Sequence, residues 1–97
     1  MKFEWDERKN EDNLRKHGFD LCDAASMFDG PILAQADTRE DYEENRWIGI
    51  GVTHGRVAVV AFAERDEGCI RIISLRKANR HERTLFEEAI TNELEED

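Results

Sequence analysis

RWIGIGVTHGRVAVVAFAERDEGCIRIISLRKANRHER, residues 46–83, decides how this chain folds. Within it RWIGIGV (46–52), RVAVVAFAE (56–64) and CIRIISL (69–75) are rich in β-branched and aromatic residues, and the turn-like THG and RDEG separate them. Runs of that kind read as strands, and connections this short join antiparallel neighbours. An earlier run, ILAQA (32–36), leads into the first of them through DTREDYEEN. The expectation is a four-stranded antiparallel meander. Along RWIGIGV the period of two puts Ile48, Ile50 and Val52 on one face and Trp47, Gly49 and Gly51 on the other. Glycines on a face let another element approach the backbone closely, and a packing helix is the simplest such element.

Downstream, the last strand runs into a helix start. Asn79 can cap it while Glu82 answers from the third helical position, and Leu85, Phe86, Ala89, Ile90 and Leu94 supply an apolar stripe. Upstream, KFEW reads as a brief strand with Phe3 and Trp5 on one face. Asp6 then caps a helix whose first turn is acidic, whose last turn holds Lys16 and His17, and which Gly18 closes. Leu14 is almost alone on its apolar face, so this helix is expected to lie on the surface and to pack through Trp5 and Phe19. A second helix is expected from Asp20, striped by Leu21, Ala24, Ala25 and Phe28 and ended by Gly30-Pro31. The predicted class is therefore α+β: two short N-terminal helices, a four-stranded antiparallel sheet and a C-terminal helix, in a single domain over 1–97.

With 97 residues and 39% hydrophobic content there is room for one core and little else. No apolar run approaches the roughly 18 residues of a membrane span, and MKFEWDERK lacks the apolar segment of a secretion signal. A cytoplasmic chain without membrane contact is the expectation. Cys22 and Cys69 are isolated, and His17, His54 and His81 are scattered, so neither a disulfide framework nor a metal site is expected. Nucleotide and dinucleotide fingerprints are absent, and no cofactor is expected.

Charge is more informative. The formal net charge is -9, yet it is unevenly spread: residues 1–45 carry -7, residues 46–83 carry +4 and residues 84–97 carry -6. RIISLRKANRHER (71–83) alone gathers five Arg/Lys and one His around a single acid. A basic middle within an acidic chain points to a local anion site, or to a solvated strand face with ordinary Arg/Glu pairing.

FEWDERKNEDNLRKHGFD, AASMFDG, EENRWIGIG and ERDEGCIRIISLRKANRHER, taken in this order and spacing, resemble the BrnT family of type II toxin-antitoxin toxins over nearly the whole chain. The resemblance implies a RelE-like fold, ribonuclease activity that blocks translation, and a BrnA-like antitoxin that neutralises the toxin in a heterotetramer. It implies contact with operator DNA only through that antitoxin. RNA cleavage of the RelE type needs no metal: the 2′-hydroxyl attacks the adjacent phosphate, and the site positions the strand, removes a proton and stabilises the crowded phosphate. Arginine suits the last task, because its planar fork holds two phosphate oxygens and stays charged.

On this reading Arg71, Arg76 and Arg80 are the phosphate holders, and Arg46, Arg65 and Lys77 are flanking RNA contacts. Lys16 and His17 match the family's KHG, and His17 has a side chain suited to general acid/base work. Each residue also has a plainer role. Arg71 would pair with Glu64 across strands, His17 would favour the helix dipole, Glu82 would close the capping box, and Trp5 and Trp47 would pack in the core. Two positions depart from the family pattern: Leu75 stands where Ala is usual, and Phe86 where Tyr is frequent. The other function class open at this point is a non-catalytic module whose basic patch docks an acidic partner.

Overall fold

The computed structural model describes residues 1–66 and 68–95, apart from the side chains of residues 94 and 95. Its centre is one mixed sheet of five strands in the order β1-β5-β4-β3-β2: β1 Lys2–Glu4, β2 Leu33–Ala36, β3 Arg46–Thr53, β4 Arg56–Glu64 and β5 Cys69–Lys77. Strands β2 to β5 form the expected antiparallel meander. His54 (φ 50) and Gly55 (φ 73) make the two-residue turn between β3 and β4. Positive φ at both positions gives the turn a twist matching that of the strands it joins.

The four-stranded expectation is corrected by β1. KFE joins the sheet in parallel with β5, Lys2 opposite Cys69 and Glu4 opposite Arg71, so the sheet has five strands and is not wholly antiparallel. A three-residue strand shows its face but not its partner, and this partner lies near the other end of the chain.

Helix α1 (Glu7–His17) begins and ends as the sequence predicts. Asp6 Oδ1 accepts from the Arg8 and Lys9 N–H groups at 2.8 and 3.4 Å, and Gly18 (φ 74) donates its N–H to Leu14 O. What holds it to the sheet is polar. Leu14 is 49% exposed, whereas Asn13 is buried. Asn13 Nδ2 donates to Leu75 O (2.8 Å) and Phe19 O (3.0 Å), and the Leu75 N–H donates back to Asn13 Oδ1 (3.0 Å). Beyond the end of β1, one amide thus serves β5 as a neighbouring strand would. Asn10 does similar service for the next segment, accepting from the Leu21 N–H and donating to Asp20 Oδ1.

The second helix is also corrected. Leu21–Asp29 is a 3₁₀ helix capped by Asp20, and its buried residues are Leu21, Ala24 and Met27. Three residues per turn bring every third side chain to one face, which admits Met27 and leaves Ala25 half-buried. Phe28 still reaches the core edge, its ring 5.3 Å from that of Phe3 and 5.1 Å from that of Phe62. This helix and the segment after it are what approach the β3 glycines. A Cβ on Gly51 would stand 3.2 Å from Met27 Cε, and one on Gly49 only 2.9 Å from Ile32 Cδ1.

The sheet is packed on both faces. One face buries Val60, Phe62, Ile72 and Leu75 against the 3₁₀ helix, with Trp5 and Trp47 packed at its margin. The other buries Ile50, Val59 and Ala78 against Phe86 of α2 (Arg80–Glu95). Leu85, expected inside, is 41% exposed, and Leu94 lies outside the described side chains. At the start of α2 the capping box forms as predicted: Asn79 N–H to Glu82 Oε1 at 2.9 Å and Glu82 N–H to Asn79 Oδ1 at 2.8 Å. Among the described residues no helix is long and apolar enough to cross a membrane.

One irregularity decides which charges meet. Ile72 stands opposite Phe62 and Ser74 opposite Ala61, so Ile73 has no partner on β4. This bulge shifts the alternation by one residue. Ile72 and Leu75, three apart, therefore share the first core face. Arg71 and Arg76, five apart, share the other, opposite Ala63 and Val59.

Candidate functional site

Across the α2 face runs the row Arg46, Ala63, Arg71, Glu4, one residue from each of β3, β4, β5 and β1. Cross-strand partners point to the same side, so Arg46 and Arg71 flank the small Ala63 from strands roughly 10 Å apart. Arg65 joins them from the turn after β4, which its N–H closes on Cys69 O. With Tyr42, Glu43 and Glu44 of the β2–β3 connection, these three arginines line a depression of about 460 Å³.

Glu44 is the hub of that depression. Arg65 Nη1 donates to its Oε2 at 3.2 Å and Arg46 Nε to its Oε1 at 3.4 Å, and its side chain is only 23% exposed. Burial pushes the Glu44 carboxyl up, but the hydrogen bonds from Arg65 and Arg46 outweigh it and hold the group below the ordinary carboxylate value. Arg46 also stacks on Tyr42, its guanidinium carbon 4.1 Å from the ring centre. Arg65 has a second partner in Glu4 at 3.6 Å. Arg71 lies opposite Ala63, not Glu64. Among the described residues no carboxylate oxygen lies within 4 Å of its guanidinium, so the cross-strand pairing expected for it does not form.

The other candidates lie elsewhere. Four rungs along β4, about 13 Å away, Arg76 is clamped by Glu82 through two hydrogen bonds of 2.8 Å. The Arg76 fork holds the Glu82 carboxyl down at about 2, and the capping bond from Asn79 adds to the effect. Arg39, itself bonded twice to the buried side chain of Asp37, stands close enough to oppose the charge of Arg76. Arg80 is exposed in the first turn of α2. Lys16 and His17 line a separate shallow depression with Ile73 and Ser74 of β5. Lys77 follows Arg76 in the strand and leaves from the opposite face, opposite Ala58, so the structure does not bring it to the others. Phe86 is buried with Ile50 and Val59, and Leu75 is wholly buried.

Thus Arg46, Arg65 and Arg71 converge, while Arg76 is tied to Glu82 and Arg80 stands exposed at the helix start. Glu44 and Tyr42 were not foreseen. They belong to an acidic connection that reads as a turn, and the only available signal was the position of Glu44 two residues before the Arg46 that opens β3. The hydrogen bond of Cys22 with Asp20, aided by burial, pushes its thiol up to about 11, which disfavours the reactive thiolate. Among the described residues no three of His, Cys, Asp and Glu stand together as a metal ion would need.

The fold is an α+β one whose mixed sheet carries arginines on one face, and comparison with known proteins gives its family. The family model described as the ribonuclease toxin BrnT of type II toxin-antitoxin systems matches residues 5–82. The chain belongs to that family. Among solved structures it is similar to the Brucella abortus ribonuclease toxin BrnT, with 29% identity, a TM-score of 0.63, and coverage of 82% of this chain and 99% of that one. No curated protein matches. As a toxin of this class, the chain has an antitoxin partner.

Proposed function

We propose that this toxin cleaves RNA without a metal ion, through attack of a 2′-hydroxyl on the neighbouring phosphate, and so stops translation in the cytoplasm. A BrnA-like antitoxin relieves the arrest by covering the arginine face, and operator DNA is met only through that antitoxin. The observation that carries this reading is the convergence of Arg46, Arg65 and Arg71 on one depression. Three guanidinium groups around a hollow of this kind suit a phosphate whose negative charge becomes crowded in the transition state. Arg71 is the strongest holder, since the described residues leave its charge unpaired. Arg76 and Arg80 extend the track for the strand toward the start of α2. Lys16 and His17 border it from α1.

The test is to incubate the chain with RNA in excess chelator, beside Arg71→Ala and Arg80→Ala. Wild type is expected to cleave. Removing one such charge stabiliser lowers kcat by about 10²–10³, so Arg71→Ala should fall by that factor and Arg80→Ala by much less. Binding of an uncleavable RNA should weaken steeply with salt. Full activity of Arg71→Ala, or absence of cleavage by folded wild type, would overturn the proposal.

A further inference from the structure

We propose that Glu44 is the general base, accepting the proton of the attacking 2′-hydroxyl directly on its carboxylate. This inference rests on the ribonuclease reading of the same depression. Three features of the geometry single it out. Its partners Arg65 and Arg46 are the groups that would hold the scissile phosphate, so a carboxylate bonded to both stands beside the phosphate and within reach of the adjacent ribose. It lines the depression at 23% exposure, whereas Glu4, the other acid on Arg65, is 50% exposed. And each of its two oxygens takes one arginine donor, which leaves acceptor capacity on both. Arg46 is steadied in turn by Tyr42, which fixes the direction from which it reaches Glu44.

The step balances without another protein group. The 2′-oxygen gives its proton to Glu44 and forms a bond to phosphorus. The bond from phosphorus to the 5′-oxygen breaks, its electron pair leaving with that oxygen. Water protonates the leaving oxygen, and the hydroxide so formed takes the proton back from Glu44. The products are a 2′,3′-cyclic phosphate and a 5′-hydroxyl end.

The groups facing Glu44 set its pH response. They are Arg46 from β3, Arg65 from the β4–β5 turn, Arg71 from β5, Tyr42 and Glu43 from its own connection, and Glu4 behind Arg65. In the free protein the arginines outweigh burial and hold the carboxyl below its ordinary value. A bound phosphate shares those arginines and adds negative charge, so the carboxyl rises in the complex. The acid limb of kcat should therefore lie at higher pH than that of kcat/KM, because the first reports the complex and the second the free protein.

The experiment compares wild type, Glu44→Gln and Glu44→Asp for cleavage against pH and for binding of an RNA 2′-O-methylated at the cleavage site. A positioned base contributes about 10²–10⁴-fold. Glu44→Gln is expected to lose kcat by that factor, to lose the acid limb, and to bind the methylated RNA as tightly as wild type or more so. Glu44→Asp should retain part of kcat and keep a limb, which guards against a Gln variant that fails to fold. If Glu44→Gln keeps its kcat and merely lowers KM, the carboxylate only fills the place of a phosphate, and the base assignment falls. Equal acid limbs in wild type and Glu44→Gln would also overturn it. Either result leaves RNA cleavage by wild type standing, whereas no cleavage by wild type sinks the ribonuclease reading itself.

Discussion

Asn13→Ala should be among the most destabilising single changes in the molecule, although it removes a small polar side chain from a surface helix. The substitution deletes three hydrogen bonds of 2.8–3.0 Å and strands the N–H and C=O of Leu75 together with the C=O of Phe19. Each such bond contributes about 1 kcal/mol net, and a buried group left unpaired costs about 1–3 kcal/mol. The loss is then about 3 kcal/mol, a large share of the roughly 5–15 kcal/mol that holds a domain together. Near the melting midpoint a domain of this size shifts by about 4–8 °C per kcal/mol, so a fall of about 12–24 °C is expected. Urea unfolding followed by the fluorescence of Trp5 and Trp47 measures it directly. Leu14→Ala, one residue along but half-exposed, should stay within about 0.5 kcal/mol of wild type. Asn13→Asp separates the donor role from mere space-filling, since an ionised carboxylate can accept from the Leu75 N–H but has nothing to offer two carbonyls. It should be at least as damaging as Ala at neutral pH and recover partly in acid, where the protonated group can donate. A loss below about 1 kcal/mol in Asn13→Ala, or equality with Leu14→Ala, would refute the claim that one amide substitutes for a strand.

Two further outcomes concern the sheet and the helix start. Gly49→Ala places a methyl 2.9 Å from Ile32 Cδ1; overpacking of about 1–3 kcal/mol, less about 0.4–1 kcal/mol gained by restricting the unfolded chain, leaves a net loss in urea unfolding that Ile32→Val should relieve in the double variant. Glu82 has its folded pKa depressed to about 2, so its stabilisation is present above the ordinary carboxylate range and is lost as pH falls toward that value. Because Arg76 is partly exposed, the pair contributes on the order of 1 kcal/mol. Glu82→Gln should lower stability at pH 7 and flatten its decline between about pH 5 and pH 2, as paired unfolding curves would record.

The meander, both ends of α1 and the capping box at Asn79 were legible because each rests on a local pattern: alternation, a cap, a reciprocal pair three residues apart. What escaped depends on distant partners. KFE was readable as a strand, but its parallel seat beside β5 follows from where α1 returns the chain. The 3₁₀ turn at Leu21 buries Met27 and leaves Ala25 half-buried, a change of helical phase that composition does not show. Leu14 is the inward residue by composition, but Asn13 takes that place because Leu75 needs a partner. At the site, Arg46 and Arg65 were placed as flanking contacts and Arg76 as a phosphate holder. The fold draws the first two in with Arg71 and ties the third to Glu82, a choice made by register and by the acidic connection folding back onto its own arginines.

The bulge at Ile73 makes the interval between Arg71 and Arg76 elastic. Deleting the unpaired residue would leave Ile72 and Leu75 two apart on the core face and Arg71 and Arg76 four apart on the other, with every partner on β4 unchanged. Leu75 and Arg76, as neighbours in the strand, leave from opposite faces either way, so seating the one presents the other. A relative one residue shorter here thus keeps both its core and its basic face. Partnership across the ladder, and not residue count along β5, is the criterion for transferring the site from one relative to another.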